Sequence, residues 1–221
     1  VIEPGVVVEF NSSIFFVEGV LKVLGTEEEP VYFDGYVDLV ISNDSGNSVL
    51  NHIINRSNLF VFYEGGRAQS TGLDTNNDIL FFETNSEFLD LKATSLYLYD
   101  SSMVEINDSL FSGEAKIEVQ DYSNLILKNS KVESLNQDTI VNIYNNASAS
   151  FTNVDILSLD QSNSGISVFG NSNLNFKDGS LSGSRDGFLV YNDSHLNILN
   201  TGISCDNTGI SVYNNSAVDF D

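Results

Sequence analysis

One pattern recurs through the C-terminal half of the chain at a nearly constant interval, and it leaves few folds open. The pattern S-x-φ-x-φ, where φ is apolar, starts at Ser102, Ser123, Ala147, Ser172, Ser194 and Ser216, in steps of 21, 24, 25, 22 and 22. Aligned on it, Val104/Ile106, Leu125/Leu127, Ala149/Phe151, Leu174/Phe176, Leu196/Ile198 and Val218/Phe220 form two apolar columns. A second φ-x-φ precedes each start, at Leu96/Leu98, Ile117/Val119, Val141/Ile143, Ile166/Val168, Phe188/Val190 and Ile210/Val212. Between the two runs a further apolar position recurs at Phe111, Val132, Ile156, Leu181 and Ile203. Each row therefore holds three short segments with one apolar side.

Alternation with period two turns one face of each segment inward and the other outward, which a helix cannot do at this spacing. A repeat of this length whose units cannot bury their own apolar face must stack on its neighbours. The sequence predicts an all-β, three-sided parallel β-solenoid of about ten coils of roughly 21–25 residues, a rod roughly 45–50 Å long at the strand spacing.

The corners carry their own chemistry. Asp100, Asp121, Asn145, Gly170, Asn192 and Asn214 stand two residues before each pattern start, and Asp108, Asn129, Asn153, Asp178 and Asn200 form a second column after the strand. Asp, Asn and Gly tolerate a left-handed backbone, so both columns read as structural turn ladders of stacked amides and carboxylates hydrogen-bonding along the rod. The third corner absorbs the variation in coil length.

Apolar φ-x-φ strands alternating with Asn-bearing turns resemble the right-handed parallel β-helix of the pectate-lyase-like superfamily and its non-enzymatic cell-surface relatives. The opening, IEPGVVVEF followed by VEGVLKVLGTEEEPVYF, is similar to the first coils of such surface proteins, with Pro4-Gly5, Gly19, Gly25-Thr26 and Pro30 in place. The resemblance covers nearly the whole chain and implies the fold more than the function, since one solenoid carries lyases, hydrolases, adhesins, spikes and structural proteins. It implies a single β-helix domain over 1–221, with less regular coils over 1–85 and regular ones over 86–221. Residues 62–82 are expected to contain a longer excursion, and 87–102 an unusually short coil.

Composition narrows the function. Nine Lys and Arg against 31 Asp and Glu give a net charge of −22, so a polyanion is repelled and nucleic-acid binding is not expected. The 27 Asn and 30 Ser accord with turn ladders rather than helices. Cys205 stands alone, so no internal disulfide forms, and it reads as a structural thiol. No run of about 18 apolar residues occurs, so no membrane insertion is expected of this segment. The chain starts without Met or a secretory leader, and its last apolar pair, Val218 and Phe220, stops within the repeat. It is expected to be a segment of a longer protein, or to stack on further copies through its coil ends.

Candidate sites follow. Tyr99, Gln120, Tyr144, Phe169, Tyr191 and Tyr213 form an outward column, five of the six aromatic. It reads as a self-supporting ladder of rings, or as a partner or glycan surface. Among catalytic constellations the strongest is Asp178, Arg185 and Asp186, with Lys177 nearby, but Asp178 belongs to the turn ladder and Arg185-Asp186 to a variable corner. No catalytic site is expected. His52 and His195 lie far apart, so no zinc or other defined metal site is expected, and no cofactor beyond weak, distributed Ca2+ binding by carboxylates. N-glycosylation sequons occur at Asn11, Asn43, Asn55, Asn107, Asn146, Asn192 and Asn214.

The functional expectation is an extracellular or cell-surface structural rod that assembles with itself or its neighbours, as a surface layer, sheath, filament or adhesin stalk. Its homo-oligomeric contacts would use coil ends or the aromatic edge. The alternatives are a polysaccharide lyase or glycoside hydrolase of the same fold, and a glycan-binding phage or cell-surface spike.

Overall fold

The computed structural model describes residues 1–42, 47–56, 59–63, 65, 67–75, 77–135, 138–160 and 164–220, with side chains for all of these except 12, 13, 36, 37, 47 and 59–63. The chain winds as a parallel β-solenoid of about nine turns, close to the ten the repeat predicts.

Three parallel sheets form its sides. The first contains Leu96–Tyr99, Ile117–Val119, Val141–Tyr144, Ser164–Phe169, Asp186–Tyr191 and Thr208–Val212, each paired with the equivalent strand one coil on. The second contains Met103–Asn107, the first half of Asn124–Ser134 and of Ser148–Ser158, then Asn173–Lys177, His195–Leu199 and Ala217–Phe220. The third takes Leu110–Gly113, the second halves of those two long strands, Ser180–Ser182 and Gly202–Ser204. Each strand thus covers the edge of its neighbour, so lone φ-x-φ runs too short to persist by themselves become one sheet.

The register matches the aligned columns. Val104, Leu125, Ala149, Leu174, Leu196 and Val218 lie on successive strands, as do Ile117, Val141, Ile166, Phe188 and Ile210. Their side chains fill one continuous core with Phe81, Phe88, Phe111, Phe151, Phe176 and Phe188, and rings from adjacent coils meet edge-on, as in Phe151–Phe176 at 6.0 Å between centroids.

The N-terminal coils depart from the expected length. Lys22 pairs with Val49, a long coil, whereas Gln69 pairs with Glu87 and Asn85 with Met103, both much shorter. The short coil expected at 87–102 is therefore one of two. The longer excursion expected over 62–82 gives way to strand: Arg67–Thr75 is paired on both sides, and Leu59–Tyr63 pairs directly with Asp78–Phe82 one short coil on. Gly65 and Gly72, with φ of 75° and 68°, turn tight corners there instead of opening a loop.

The corners work as left-handed turns. Every residue of the two predicted columns has positive φ, from 48° at Asn200 to 68° at Gly170. The first corner takes two such residues in succession, because Ser101, Tyr122, Asn146, Asn171, Asp193 and Asn215 also have positive φ. His52, Gly72 and Asp90 continue the second column toward the N-terminus, with φ of 43°, 68° and 53°.

Inside the first corner runs a ladder of hydroxyls. The backbone N–H of Thr84, Ser102, Ala147, Ser172 and Ser194 donates to the Oγ of Ser102, Ser123, Ser172, Ser194 and Ser216 respectively, at 3.1–3.3 Å. The serines that mark the repeat are acceptors for N–H groups that the turning backbone leaves without a strand partner.

Candidate functional site

The outer face of the first sheet carries the most distinctive chemistry of the molecule. Strand parity points Leu80, Phe82, Tyr97, Tyr99, Glu118, Gln120, Asn142 and Tyr144 outward while their neighbours Phe81, Leu98, Val119 and Ile143 are fully buried. Register then sets one outward residue above the next, coil by coil.

The expected aromatic column is in place and half-buried from Tyr99 to Tyr191, with Tyr213 at 59% exposure. Tyr144 lies 4.9 Å from Phe169, and Phe169 4.9 Å from Tyr191, centroid to centroid, each pair stacked and parallel within 1°. Upstream, Phe82 stacks on Tyr99 at 4.9 Å, extending the column by one coil beyond the expectation. Gln120 interrupts the rings between Tyr99 and Tyr144. Because the rings lie face to face, their π-faces are occupied by each other and their edges meet solvent. A sugar stacking on a ring needs a free face, so the stacked stretch offers a glycan little of what the column's composition suggests.

Beside the gap lies a carboxylate that sequence reasoning missed. Glu118, only 15% exposed, pairs with Lys116 at 2.7 Å and is hydrogen-bonded to the Tyr144 hydroxyl. Burial first, and the Glu118 charge next, push the hydroxyls of both Tyr99 and Tyr144 up to about 12. Tyr97 is raised too, by burial and then by the Asp78 carboxylate. These phenols stay protonated as donors at neutral pH and are poor nucleophiles. The signal for Glu118 was available in the sequence, as the outward residue of Ile117-Glu118-Val119, one coil from Tyr97 and Asn142.

The other predicted residues distribute around the coil. Asp178 turns the corner between the second and third sheets and accepts from Asn200 Nδ2 at 2.8 Å, with Lys177 at 3.7 Å. Arg185 occupies the next corner, beyond Ser180–Ser182, and Asp186 opens the first-sheet strand that follows, the two joined at 2.9 Å. The three do not converge. Asn207, donating to Asp186 at 2.8 Å, and then Arg185 hold the Asp186 carboxyl below the usual carboxylate range, so it stays ionised rather than serving as a proton donor.

The turn columns make their hydrogen bonds in pairs. Asn145 donates to Asp121, Asn153 to Asn129 and Asn214 to Asn192, at 2.9–3.1 Å, while Gly170 interrupts the first column. The second left-handed position adds Asn171 to Asn146 and Asn215 to Asp193, at 2.7–2.8 Å.

Among the sequons one expectation is corrected. Asn55 is 1% exposed, and its Nδ2 donates inward to Thr75 Oγ1 at 3.0 Å, so no glycan can be attached there in the folded chain. Ile53 and Asn55 share the inward parity of Val31 and Phe33. Asn11, Asn146, Asn192 and Asn214 are exposed, Asn107 is half-buried, and Asn43 lies outside the described residues. His195 sits on the outer second sheet, 2.9 Å from Asp219, and His52 turns a corner beside Gly72. Among the described residues no three His, Cys, Asp or Glu side chains gather as a metal site.

Comparison with known proteins agrees with this geometry. A family model described as a right handed beta helix region matches residues 71–221. No curated protein and no solved structure gives a match.

Proposed function

The chain belongs to the right-handed β-helix family, and from that premise we propose that it is a structural element of an extracellular surface, a stiff acidic rod packed among neighbours. One observation carries the reading: the outward polar and aromatic columns are spent on the adjacent coil. Asn145 with Asp121, Asn214 with Asn192, and the Tyr144–Phe169–Tyr191 stack all bind along the rod axis. Such side chains stiffen a solenoid instead of reaching toward a substrate. A charge of −22 spread along the rod keeps it soluble and favours weak, distributed binding of divalent cations between rods.

The test has two arms. Antibody labelling of intact source cells should place the chain at the surface, and incubation with acidic and neutral polysaccharides should release no new chain ends. New chain ends that disappear in Asp178→Asn or Glu118→Gln would replace this reading with a polysaccharide-cleaving enzyme. Retention of a polysaccharide without cleavage would replace it with a glycan-binding spike.

A further inference from the structure

We propose that the outer face of the first sheet is the contact along which two copies of this chain pack side by side. The inference rests on the structural reading above and gives it a partner and a surface.

The face is unusual in charge. From Leu80 to Tyr213 its two central outward columns hold a single ionised side chain, Glu118, and Lys116 neutralises it at 2.7 Å. Nearer the N-terminus Glu18 heads the ring column through Ser42, and Asp38 and Asp78 share the flanking column of Ile14, while the chain carries most of its 31 acidic residues elsewhere. A basic partner would be drawn to the corners and the other sheets. A second copy presents the same nearly neutral strip, so the two strips can meet while the corner carboxylates stay in solvent.

The face is also apolar over much of its length. In the first coil Ile14 and Phe16 point outward with 67% and 51% exposure, and Phe16 is in register with Val40. Leu80 and Tyr97 follow on one column, with Phe82, Tyr99 and the later rings on the other. Isolated apolar residues on a surface are ordinary, but a strip of this length marks an interaction surface.

Shape and size select the occupant. From Phe82 to Tyr213 the rings expose edges at one per coil except at Gln120, with centroids 4.9 Å apart in the stacks. A second copy brings a row of the same period and twist, so edges can interdigitate coil by coil. The sheet's strands, spaced at about 4.8 Å and on average about 16 Å long, give over about nine turns a face of roughly 700 Å², near the ~800 Å² per partner of stable complexes. The arrangement is isologous, each copy using the same patch.

Sedimentation of the whole chain across micromolar to submillimolar concentration tests this. A monomer–dimer equilibrium is expected, and Leu189→Glu, on the outer first sheet, should raise the dissociation constant at least tenfold with an unchanged circular dichroism spectrum. In a Cys205→Ser background, a thiol introduced by Asn142→Cys on this face should be alkylated several-fold more slowly once dimers form. A thiol introduced by Asn175→Cys on the second sheet should react at a constant rate. The alkylation pair decides the matter if Leu189→Glu disturbs folding. A wild type that stays monomeric, or a dimer that protects Asn175→Cys and not Asn142→Cys, overturns the proposal. Either outcome leaves surface location and polysaccharide turnover to judge the structural reading separately.

Discussion

Tyr144 and Phe169 stand one coil apart with their rings 4.9 Å between centroids and parallel to within 1°. Phe169 continues onto Tyr191 with the same geometry, so it is the middle of three rings and makes two stacking contacts. Aromatic pairs contribute about 0.5–1.5 kcal/mol beyond their burial. Phe169→Ala should therefore lower stability by about 1–3 kcal/mol in urea unfolding, and Phe169→Tyr, which keeps the ring, by little. An alanine variant as stable as the wild type would show that the stack is an ornament of strand register.

Ionisation of the phenols offers a second check. Tyr99 and Tyr144 are pushed up to about 12, mainly by burial and then by Glu118, whereas tyrosine in an unfolded chain ionises near about pH 10. Between these values the unfolded chain binds fewer protons than the folded one, so stability falls as pH rises. Their contribution should be complete below about pH 10 and lost on passing about 12. Phenolate absorbance should show a late-titrating pair, and Glu118→Gln should bring both back toward ordinary values. Uniform titration near pH 10 in the native chain would contradict the burial of this face.

The hydroxyl ladder has one missing rung. Ala147 stands where a serine would accept the N–H of Ser123, which is left with Gln120 O at 3.1 Å. Ala147→Ser restores an acceptor of the kind its neighbours use, so a gain of about 0.5–1 kcal/mol is expected. At the other end, Thr84 Oγ1 is buried with no hydrogen-bond partner among the described residues, so Thr84→Val should cost nothing or stabilise. Thermal melts of the two variants check both, and a clear loss in Thr84→Val would mean that the hydroxyl has a bound water.

These details mark where the sequence could be read and where it could not. From Leu96 onward, period-two alternation at a steady step fixes which residues turn inward, and the structure keeps that register strand by strand. Before it, the coils shorten and, Asp90 aside, the corners are turned by His52, Gly72 and Glu83. These types carry no Asn or Asp signature, so the residue types alone do not mark the step. The second left-handed residue was legible only in part, since Asn146, Asn171, Asp193 and Asn215 carry the signature whereas Ser101 and Tyr122 do not. Asn55 shows the converse: a sequon is a local string, and only strand parity reveals that its amide points into the core. The surroundings of Glu118 needed three coils in register at once, which no single row contains.

Gly170 interrupts the corner column of Asp and Asn, and its replacement separates the two roles of that column. Its φ is 68°, and a side chain there would meet Asn145 N at 3.2 Å, a contact its neighbours must relax slightly to accept. Asparagine tolerates this backbone and could bridge Asn145 to Asn192 as Asn214 bridges to Asn192. Gly170→Asn should then be near neutral, the added amide bond offsetting the tight contact. Gly170→Val has no polar group to return and a β-branch at positive φ, so it should destabilise by about 1–3 kcal/mol. Chemical denaturation of the pair distinguishes them. Equal losses in both would mean that the corner needs glycine for space, whereas a loss confined to valine assigns the column to backbone conformation reinforced by side-chain hydrogen bonds.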